Sequence, residues 1–476
     1  MSRGRTPPGR RARKRRRRSA SACAIWGTSS RARGGPSPVA AFWQKRKSDR
    51  RVCVFGIDGM PHTLLRRLMD QGVMPRAREI FGDRLLRMRV TLPEVSAVSW
   101  SSFMTGSNPG THGIYGFTDF DRGSYRIRFP AFSSLKTSTM WDRLGEKGIR
   151  SIVINQPSTY PAREIPGILI SGFVAVDLNR AVWPPDLARK LRQMGYQIDL
   201  DTQKAARQPD YLFRELAATL RGREKLLEQL WDKEEWDFFE IVVTGTDRLQ
   251  HFQFDAVEDP SHPNHSYCLD YYEKVDGFLG RVYDRFHSAG GGGDGAGFFA
   301  LSDHGFTRIR QEFYVNAWLV QEGLLSFRTS EPKSFEEADP ASKALCLDPT
   351  RIYLHRKGRF PNGSVEEEEA EELVLRIREK ALALRFDGEP VFRGVFRPEE
   401  IYSGPEIGSA PDLVLLARDG FDVKGWMRTG PAFGRSHFTG MHNWDDAFLW
   451  TGGDVPGEFD ITSLASIIEK RLTAEG

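Results

Sequence analysis

The chain has 476 residues, of which 39% are hydrophobic, and it contains no apolar stretch near the ~18 residues of a membrane-spanning helix, which predicts a soluble protein. Its four cysteines form no CxxC pair and no metal-binding spacing, so we expect no disulfide framework and a reducing, cytoplasmic location. Residues 1–51 carry 17 Lys/Arg and one acid, and their net charge of +16 within a chain of +5 leaves −11 for the remainder.

The basic charge is concentrated in residues 1–50. This segment contains four consecutive arginines at 15–18 among scattered Pro, Gly and Ser, and it has too little apolar content to be buried. Such a composition predicts a disordered tail. Three interpretations stay open: a nucleic-acid-binding or import tail, a non-specific polycation, and a start codon assigned too far upstream. We expect nucleic acid as a partner only through this tail, and we place the folded domain at 51–476.

From residue 52 onward, short apolar runs alternate with amphipathic segments. The apolar runs predict buried strands at 52–57, 85–92, 150–154, 238–243, 298–301, 412–416 and 448–451. The amphipathic segments predict helices at 61–71, 96–105, 140–147, 211–231, 267–288, 366–384 and 461–472. Strands that alternate with helices indicate an α/β fold in which a mostly parallel central sheet is sandwiched between helices.

Three segments interrupt this alternation. Residues 156–235 and 330–430 are mixed in pattern, and we interpret them as cap or insert segments that shape a substrate pocket. Residues 290–295 consist of five glycines and one aspartate. They lack the following Lys-Ser/Thr of a phosphate-binding loop, so a flexible surface connection is predicted.

Acidic and histidine side chains are found near several predicted strand ends. The candidates are Asp58, Asp247, His251, Asp303, His304 and His442, with His437 as a nearby alternative to His442. Each alone has an ordinary interpretation as a helix cap, a surface hydrogen bond or a turn residue. Because parallel strands gather their following loops at one sheet edge, we expect the six to meet there. Carboxylate plus imidazole suits zinc, manganese or iron.

Ser96 is the candidate nucleophile because a predicted strand has ended and a helix begins there. The free N–H groups and positive dipole end of a helix N-terminus suit a phosphate group. A serine hydroxyl needs a base or a metal to act as a nucleophile at neutral pH. The alternative is that Ser96 only caps the helix, and the local sequence alone favours that alternative.

Five motifs, in this order, resemble the type I phosphodiesterase/nucleotide pyrophosphatase family of the alkaline phosphatase superfamily. They are Val-Phe-Gly-Ile-Asp-Gly at 54–59, Thr-Gly-Ser-Asn-Pro-Gly-Thr-His-Gly-Ile at 105–114, Asp-Arg-Leu-Gln-His at 247–251, Ser-Asp-His-Gly at 302–305 and Gly-Met-His at 440–442. The resemblance spans 52–472 and implies an alkaline phosphatase-like fold with two divalent metal ions. By position, the ligands of one ion would be Asp58, Ser96, Asp303 and His304, and those of the other Asp247, His251 and His442.

The resemblance implies a hydrolase of a small phosphate ester or nucleotide-like substrate. Ser96 would attack phosphorus to give a phosphoseryl intermediate, and zinc is the expected metal, with manganese or iron as alternatives. Serine stands where this family usually has threonine, and residues 96–99 lack the sulfatase C/S-x-P-x-R motif, which argues against sulfate esters. The alternatives are a phosphomonoesterase, a phosphonate hydrolase or a phosphoglycerate mutase-like enzyme, and, without catalysis, a metal-dependent ligand-binding protein.

Overall fold

A computed structural model describes residues 50–289, 296–455 and 457–473. The predicted basic tail, apart from residue 50, and the glycine-rich segment 290–295 lie outside the described residues, so both interpretations stay predictions. Within the described residues, no helix combines the length and the apolar character that crossing a membrane requires.

Strands and helices alternate along most of the described chain. The strands are β1 (Val52–Ile57), β2 (Leu86–Met88), β3 (Asp119–Phe120), β4 (Ile127–Arg128), β5 (Ser151–Gln156), β6 (Gly167–Ser171), β7 (Val182–Trp183), β8 (Phe238–Val243), β9 (Phe298–Leu301), β10 (Gly305–Arg308), β11 (Gln311–Tyr314), β12 (Ala344–Leu347), β13 (Arg351–Leu354), β14 (Arg385–Phe386), β15 (Glu389–Pro390), β16 (Phe392–Phe396), β17 (Leu413–Ala417), β18 (Phe421–Lys424), β19 (Phe433–Gly434), β20 (Gly440–Asn443) and β21 (Ala447–Thr451). The helices are α1 (His62–Asp70), α2 (Pro75–Phe81), α3 (Ser96–Thr105), α4 (Pro109–His112), α5 (Met140–Glu146), α6 (Leu187–Gln193), α7 (Thr202–Ala205), α8 (Pro209–Leu230), α9 (Gly245–Glu258), α10 (His265–Ser288), α11 (Val315–Gln321), α12 (Glu367–Ala383), α13 (Pro398–Ile401) and α14 (Leu464–Thr473).

The central sheet has eight strands in the order β2-β21-β9-β1-β8-β5-β6-β7. The five strands from β9 to β6 pair in parallel, whereas the pairings β2–β21, β21–β9 and β6–β7 are antiparallel. Every residue of β1, β8 and β9 is buried, as expected for parallel strands with helices on both faces. The predicted α/β fold with a mostly parallel sheet is confirmed.

Alternate residues of β1 enter two different hydrophobic cores. Cys53 and Phe55 pack on the face that α1, α2, α8 and α10 cover. Val52 and Val54 pack on the opposite face, against α3, α5 and α14. The period-two alternation of a strand therefore divides one apolar run between two layers of helices, because consecutive side chains point to opposite faces.

Residues 156–235 differ from the predicted cap, because much of this segment belongs to the central sheet and its helical layer. Strands β6 and β7 extend the sheet beyond β5, and leucines of α8 are buried in the same core as Phe239 and Ile241. The two strands have only five and two residues, and several prolines precede β6. Apolar runs this short do not reveal the strand period, so the pattern gave no strand there.

Residues 330–430 contribute a separate antiparallel sheet in the order β12-β13-β17-β16. The strand predicted at 412–416 corresponds to β17. It belongs to this second sheet and not to the central sheet. All five residues of β17 are buried, with Leu413 and Leu415 in one core and Val414 and Leu416 in another. A strand buried on both faces has the same sequence pattern in either sheet, so the pattern could not assign it.

Glu240 is a buried carboxyl group in the middle of β8. Its register neighbours are Val54 on β1 and Val153 on β5, its side chain is fully buried, and neither carboxyl oxygen has a hydrogen-bond partner among the described residues. Burial raises the pKa of Glu240 to about 8. The group is therefore a neutral acid in the folded chain over a pH range where it is ionised in the unfolded chain.

We expect Glu240→Gln to stabilise the protein in a pH-dependent way. Between pH ~4.5 and ~8 the folded state binds more protons through Glu240 than the unfolded state, so the free energy of unfolding falls as the pH rises through that window. Glutamine has no proton to lose, so the variant should unfold with a free energy on the order of a few kcal/mol higher than wild type at pH 8 and similar at pH 4.5. Urea denaturation at several pH values measures this difference. The control Glu379→Gln, at an exposed glutamate of α12, should not change the pH dependence, and parallel wild-type and Glu240→Gln curves would contradict the prediction.

Candidate metal centre and nucleophile

The C-terminal ends of three adjacent parallel strands bring the predicted carboxylates together. Asp58 follows β1 directly, and Asp303 comes two residues after the end of β9. Asp247 lies in the first turn of α9, which begins two residues after β8. Since β1 lies between β8 and β9 in the sheet, the three side chains share one edge, as the parallel-sheet rule predicted.

His442 reaches this edge by a different route. Strand β10 begins directly after His304 and pairs antiparallel with β20, where Phe306 lies opposite His442. The ring centroids of His304 and His442 are 3.6 Å apart in a stacked arrangement. A two-stranded ribbon outside the central sheet therefore carries this histidine to the site. His437 is exposed, and its ring stacks with Phe252 and not with the site histidines.

One group of ligand atoms surrounds the hydroxyl of Ser96. Its Oγ lies 3.0 Å from Nε2 of His304 and 3.5 Å from Oδ1 of Asp58. Asp303 lies 3.2 Å from the same Nε2, through its Oδ2. One ligand atom each of Asp58, Asp303 and His304 falls within 4.8 Å of the others, which is compact enough to hold one metal ion.

A second group centres on Asp247. Its Oδ1 lies 3.4 Å from Nε2 of His251, one helical turn later, and 3.2 Å from Nε2 of His442. Asp247 and His251 therefore lie on one face of α9, as residues four positions apart in a helix do. Nε2 of His304 lies 4.0 Å from the same oxygen, so this histidine stands between the two groups. One ligand atom each of Asp247, His304 and His442 also lies within 4.8 Å of the others.

The histidine tautomers leave lone pairs directed at each other. In all three rings Nδ1 lies near a backbone carbonyl: His304 at 3.1 Å from Gly305 O, His251 at 3.2 Å from Gly440 O, and His442 at 2.9 Å from Glu94 O. A carbonyl only accepts, so Nδ1 bears the proton and each neutral ring keeps a lone pair on Nε2. The Nε2 atoms of His251 and His442 are nevertheless 3.1 Å apart. Two lone pairs that converge on the Asp247 carboxylate fit a bound cation, and metal-ligating histidines commonly have such carbonyl partners.

The two carboxylates near Ser96, those of Asp303 and Asp58, also indicate a site for a bound cation. Asp303 accepts the backbone N–H of Gly59 at 2.9 Å through Oδ1, but its buried Oδ2 has no hydrogen-bond partner among the described residues. Asp58 accepts the indole N–H of Trp100 at 2.9 Å through Oδ2, which leaves Oδ1 toward Ser96. One oxygen of each carboxylate is thus anchored to the scaffold and the other faces the centre. The donor set fits divalent metal ions.

Burial dominates the electrostatics of this site. It raises the pKa of Asp58, and the nearby carboxylates of Asp303 and Asp247 raise it further. Burial also raises the pKa of Asp303 to about 8. Burial lowers the pKa of His304 and of His442, which keeps both rings neutral. Buried like charges and neutral imidazoles are the state that a bound cation would stabilise.

The electrostatics of Asp247 differ from those of the other two carboxylates. Burial alone would raise its pKa, but protons on Nε2 of His251 and His442, together with the guanidinium of Arg248, hold the pKa well below its ordinary value. When both Nε2 atoms are unprotonated, a bound cation would supply that positive charge instead. The guanidinium of Arg248 donates to Oδ2 of Asp247 at 2.8 Å and is itself paired with Asp199 at 2.8 Å. Asp247 is therefore an ionised ligand candidate, and Arg248 leaves its Oδ1 directed at the histidines.

The hydroxyl of Ser96 is not used as a helix cap. The N-cap of α3 is Val95, without a side-chain capping bond, and Ser96 is the first helical residue. The capping alternative is therefore wrong. The side chain is 1% exposed and contacts the candidate ligands, at a helix end that suits an anion.

Sequence patterns did not identify several residues that support the site. Arg248 lies inside the 247–251 motif. Its position directly after Asp247 was the only sequence feature that connected it with the site. Asp199 comes from the segment predicted as a cap, and its role follows only from the fold. Glu94 contributes a backbone carbonyl to His442, and a backbone contact has no side-chain signature in a sequence.

Comparisons with known proteins agree with this architecture. The family model for type I phosphodiesterase/nucleotide pyrophosphatase matches residues 52–445. Phosphonoacetate hydrolase from Sinorhizobium meliloti is similar in structure, with 16% identity and a TM-score of 0.56, over 89% of this chain and 95% of that chain. An inactive variant of murine ectonucleotide pyrophosphatase/phosphodiesterase 5 in complex with AMP gives 13% identity and a TM-score of 0.52 over 89% and 95%. Alkaline phosphatase PafA gives 14% identity and a TM-score of 0.51 over 89% and 97%. At these identities the structural likeness shows the fold alone, and no curated protein is significantly similar in sequence.

Proposed function

The chain belongs to the type I phosphodiesterase/nucleotide pyrophosphatase family of hydrolases in the alkaline phosphatase superfamily, and we propose that it is a metal-dependent phosphodiesterase that acts through a phosphoseryl intermediate at a two-metal site. The observation that carries the proposal is the contact of the Ser96 hydroxyl, at the N-terminus of α3, with both Asp58 and His304.

Two sets of residues fit divalent metal ions. Asp58, Ser96, Asp303 and His304 would hold one ion, and Asp247, His251 and His442 the other. Zinc is the metal we propose, with manganese or iron as alternatives, because the donors are carboxylate and imidazole. When bound, such a pair of ions lowers the pKa of the attacking hydroxyl and stabilises charge on the attacking and leaving oxygens.

The chain's own groups define how the substrate would react. The hydroxyl of Ser96 attacks phosphorus and breaks the bond to the leaving alcohol, which departs with the serine proton. Ser96 is left esterified to a phosphoryl group that still carries the second alcohol of the diester. The free N–H groups at the start of α3 hold the non-bridging oxygens of the phosphoryl group. Water then cleaves the phosphoseryl bond, which restores the serine hydroxyl and releases the phosphate monoester.

Charge pairing around the site supports a diester as the substrate rather than a monoester. A monoester carries an additional negative charge that a cationic side chain would have to neutralise. Arg248 is already bound to Asp247 and Asp199, and Lys424 is paired with Asp422 at 2.7 Å. Neither cation of these described pairs is free to neutralise the additional charge, so a singly charged diester fits better.

A substrate panel tests this function. We expect the metal-loaded protein to hydrolyse bis(4-nitrophenyl) phosphate with a kcat/KM at least about a hundredfold above that for 4-nitrophenyl phosphate, a difference of ~2.7 kcal/mol in transition-state stabilisation. Faster release from the monoester would favour a phosphomonoesterase, and cleavage of phosphonoacetate alone would favour a phosphonate hydrolase. Stoichiometric metal binding without hydrolysis of any compound would favour a ligand-binding protein.

A further inference from the structure

A cavity of about 200 Å³ opens beside the candidate metal centre. Among its lining residues are His251 and His442, which belong to the second ligand group, together with Glu94 and Val95. Ser96 does not line it. In an in-line displacement the leaving oxygen departs opposite the attacking oxygen, and the second ligand group, which includes His251 and His442, would hold the ion that stabilises the charge on it. If the proposed function is correct, the cavity therefore takes the leaving alcohol of the diester.

The charged residues of this cavity are mainly acidic. Glu94, Asp348 and Asp422 line it together with one cation, Lys424. The ammonium group of Lys424 lies 2.7 Å from Asp422, so it neutralises a carboxylate that is already present. Glu94 and Asp348 have no such ion pair among the described salt bridges of the chain. Asp348 lies near enough to Lys424 to interact with its charge, whereas Glu94 has no cationic partner among the described residues. With one cation facing three carboxyl groups, the cavity favours a positively charged ligand.

Two buried oxygen atoms of the cavity residues have no hydrogen-bond partner among the described residues. They are Oε2 of Glu94 and Oγ1 of Thr350, on side chains that are 7% and 4% exposed. A buried acceptor without a donor costs about 1–3 kcal/mol and more when it is charged, so such atoms beside a cavity indicate a donor or a cation that is supplied from outside. Thr350 is not one of the acidic residues, so its hydroxyl is a second, separate indication that this cavity binds a ligand.

An aromatic wall completes the cavity. Phe117 lines it and packs on Phe173 with the ring centroids 5.7 Å apart. The other face of that aromatic pair is not free, because the guanidinium of Arg248 lies 4.4 Å from the ring centroid of Phe173. Phe117 lines the cavity and is only partly buried, whereas Phe173 is not among the lining residues. Aromatic faces attract ammonium groups and bind neutral apolar groups less selectively.

We propose that this cavity is a leaving-group subsite for an alcohol that carries a cationic nitrogen. Glu94 supplies the unpaired carboxylate, Thr350 a hydroxyl and Phe117 an aromatic face. An anionic leaving group, such as a nucleoside phosphate, would meet the carboxylates of Glu94 and Asp348, whose charge repels it. A neutral alkyl alcohol would leave the two buried oxygens without partners.

Binding measurements on a catalytically silent protein test this subsite. The probes are 4-nitrophenyl phosphocholine and 4-nitrophenyl 3,3-dimethylbutyl phosphate, an isosteric diester whose alcohol is uncharged because a carbon atom replaces the quaternary nitrogen. Isothermal titration of metal-loaded Ser96→Ala with both compounds should show the choline ester binding about tenfold tighter or more. Equal dissociation constants would overturn the proposal.

Two variants test whether Glu94 is the carboxylate that gives the preference for the choline ester. In the Ser96→Ala background, Glu94→Gln should reduce the preference for the choline ester to within about threefold. The affinity for the dimethylbutyl ester should stay unchanged. The amide keeps the shape of the side chain, and the backbone carbonyl that binds His442 is unaffected. Glu379→Gln removes the same charge from an exposed carboxylate of α12 that does not line this cavity, and it should keep the full preference. An unchanged preference in Glu94→Gln, or an equal loss in both variants, would also overturn the proposal.

The two proposals fail in different experiments. If wild type does not hydrolyse bis(4-nitrophenyl) phosphate but Ser96→Ala prefers the choline ester, the hydrolase proposal is wrong and the cation subsite stands. If hydrolysis is present and the preference is absent, the subsite is wrong and the hydrolase proposal stands.

Discussion

Replacing Ser96 by alanine is expected to lower kcat/KM for bis(4-nitrophenyl) phosphate by at least about a thousandfold, because the variant has no hydroxyl to attack phosphorus. Asp58 keeps its bond from Trp100, and His304 keeps its contact with the Gly305 carbonyl. The fold should therefore persist, with a melting temperature close to that of wild type. Steady-state kinetics and thermal denaturation of the metal-loaded proteins measure both effects.

Ser101→Ala is the matched control for this substitution. Ser101 lies in the same helix and is fully buried, but its Oγ donates to the Ala97 carbonyl at 2.6 Å, so its contact lies within α3. We expect nearly wild-type activity from that variant. Ser96→Thr keeps a hydroxyl and should retain measurable hydrolysis. In wild type that turns over bis(4-nitrophenyl) phosphate, mass spectrometry after an acid quench should find a 4-nitrophenyl phosphoryl group on the peptide that contains Ser96. Activity in Ser96→Ala at the wild-type level would place the nucleophile elsewhere.

Removing the metal is expected to abolish hydrolysis and to destabilise the protein. Asp58, Asp303 and Asp247 bring three buried carboxyl groups to one sheet edge, and the Nε2 lone pairs of His251 and His442 converge only 3.1 Å apart. Bound ions would relieve both repulsions. Chelation should therefore lower the free energy of unfolding by about 3–4 kcal/mol for each ion removed, relative to protein in metal at 100 to 1,000 times its dissociation constant. Urea denaturation with and without chelator measures this loss.

Elemental analysis of two histidine variants tests whether His442 is a ligand of the second metal ion. Wild type should retain about two divalent ions per chain, and His442→Ala about one, because it lacks a ligand of the second group only. His437→Ala removes an exposed histidine five residues earlier, outside the site, and should retain both ions. Equal metal content in the two variants, or none in wild type after supplementation, would contradict the two-metal proposal.

Local patterns were sufficient where a segment is long or uniformly apolar. The predicted bounds of β1, β8, β9 and α3 are those of the structure. Their ends also locate Asp58, Asp303 and Ser96, because polar residues that follow buried parallel strands collect at one sheet edge. The pattern was insufficient for β6 and β7, which are too short to show a period, and for β17, which is buried on both faces of a different sheet.

The sequence by itself determined the fold class, the positions along the chain of the strands that precede the carboxylates, and the identity of the candidate donors. It could do so because strand and helix periodicities are local properties of the chain. Tertiary structure alone decided which donors meet and how they are oriented. It brought His442 and not His437 to Asp247, through the pairing of β20 with β10. It also joined Asp199 to Arg248, and it set the unpartnered oxygens of Glu94 and Thr350 at the wall of one cavity. The contacts of Arg248 with Asp199 and of His442 with Asp247 join residues 49 and 195 positions apart, and such long separations are closed by packing and strand pairing, which no local sequence pattern encodes.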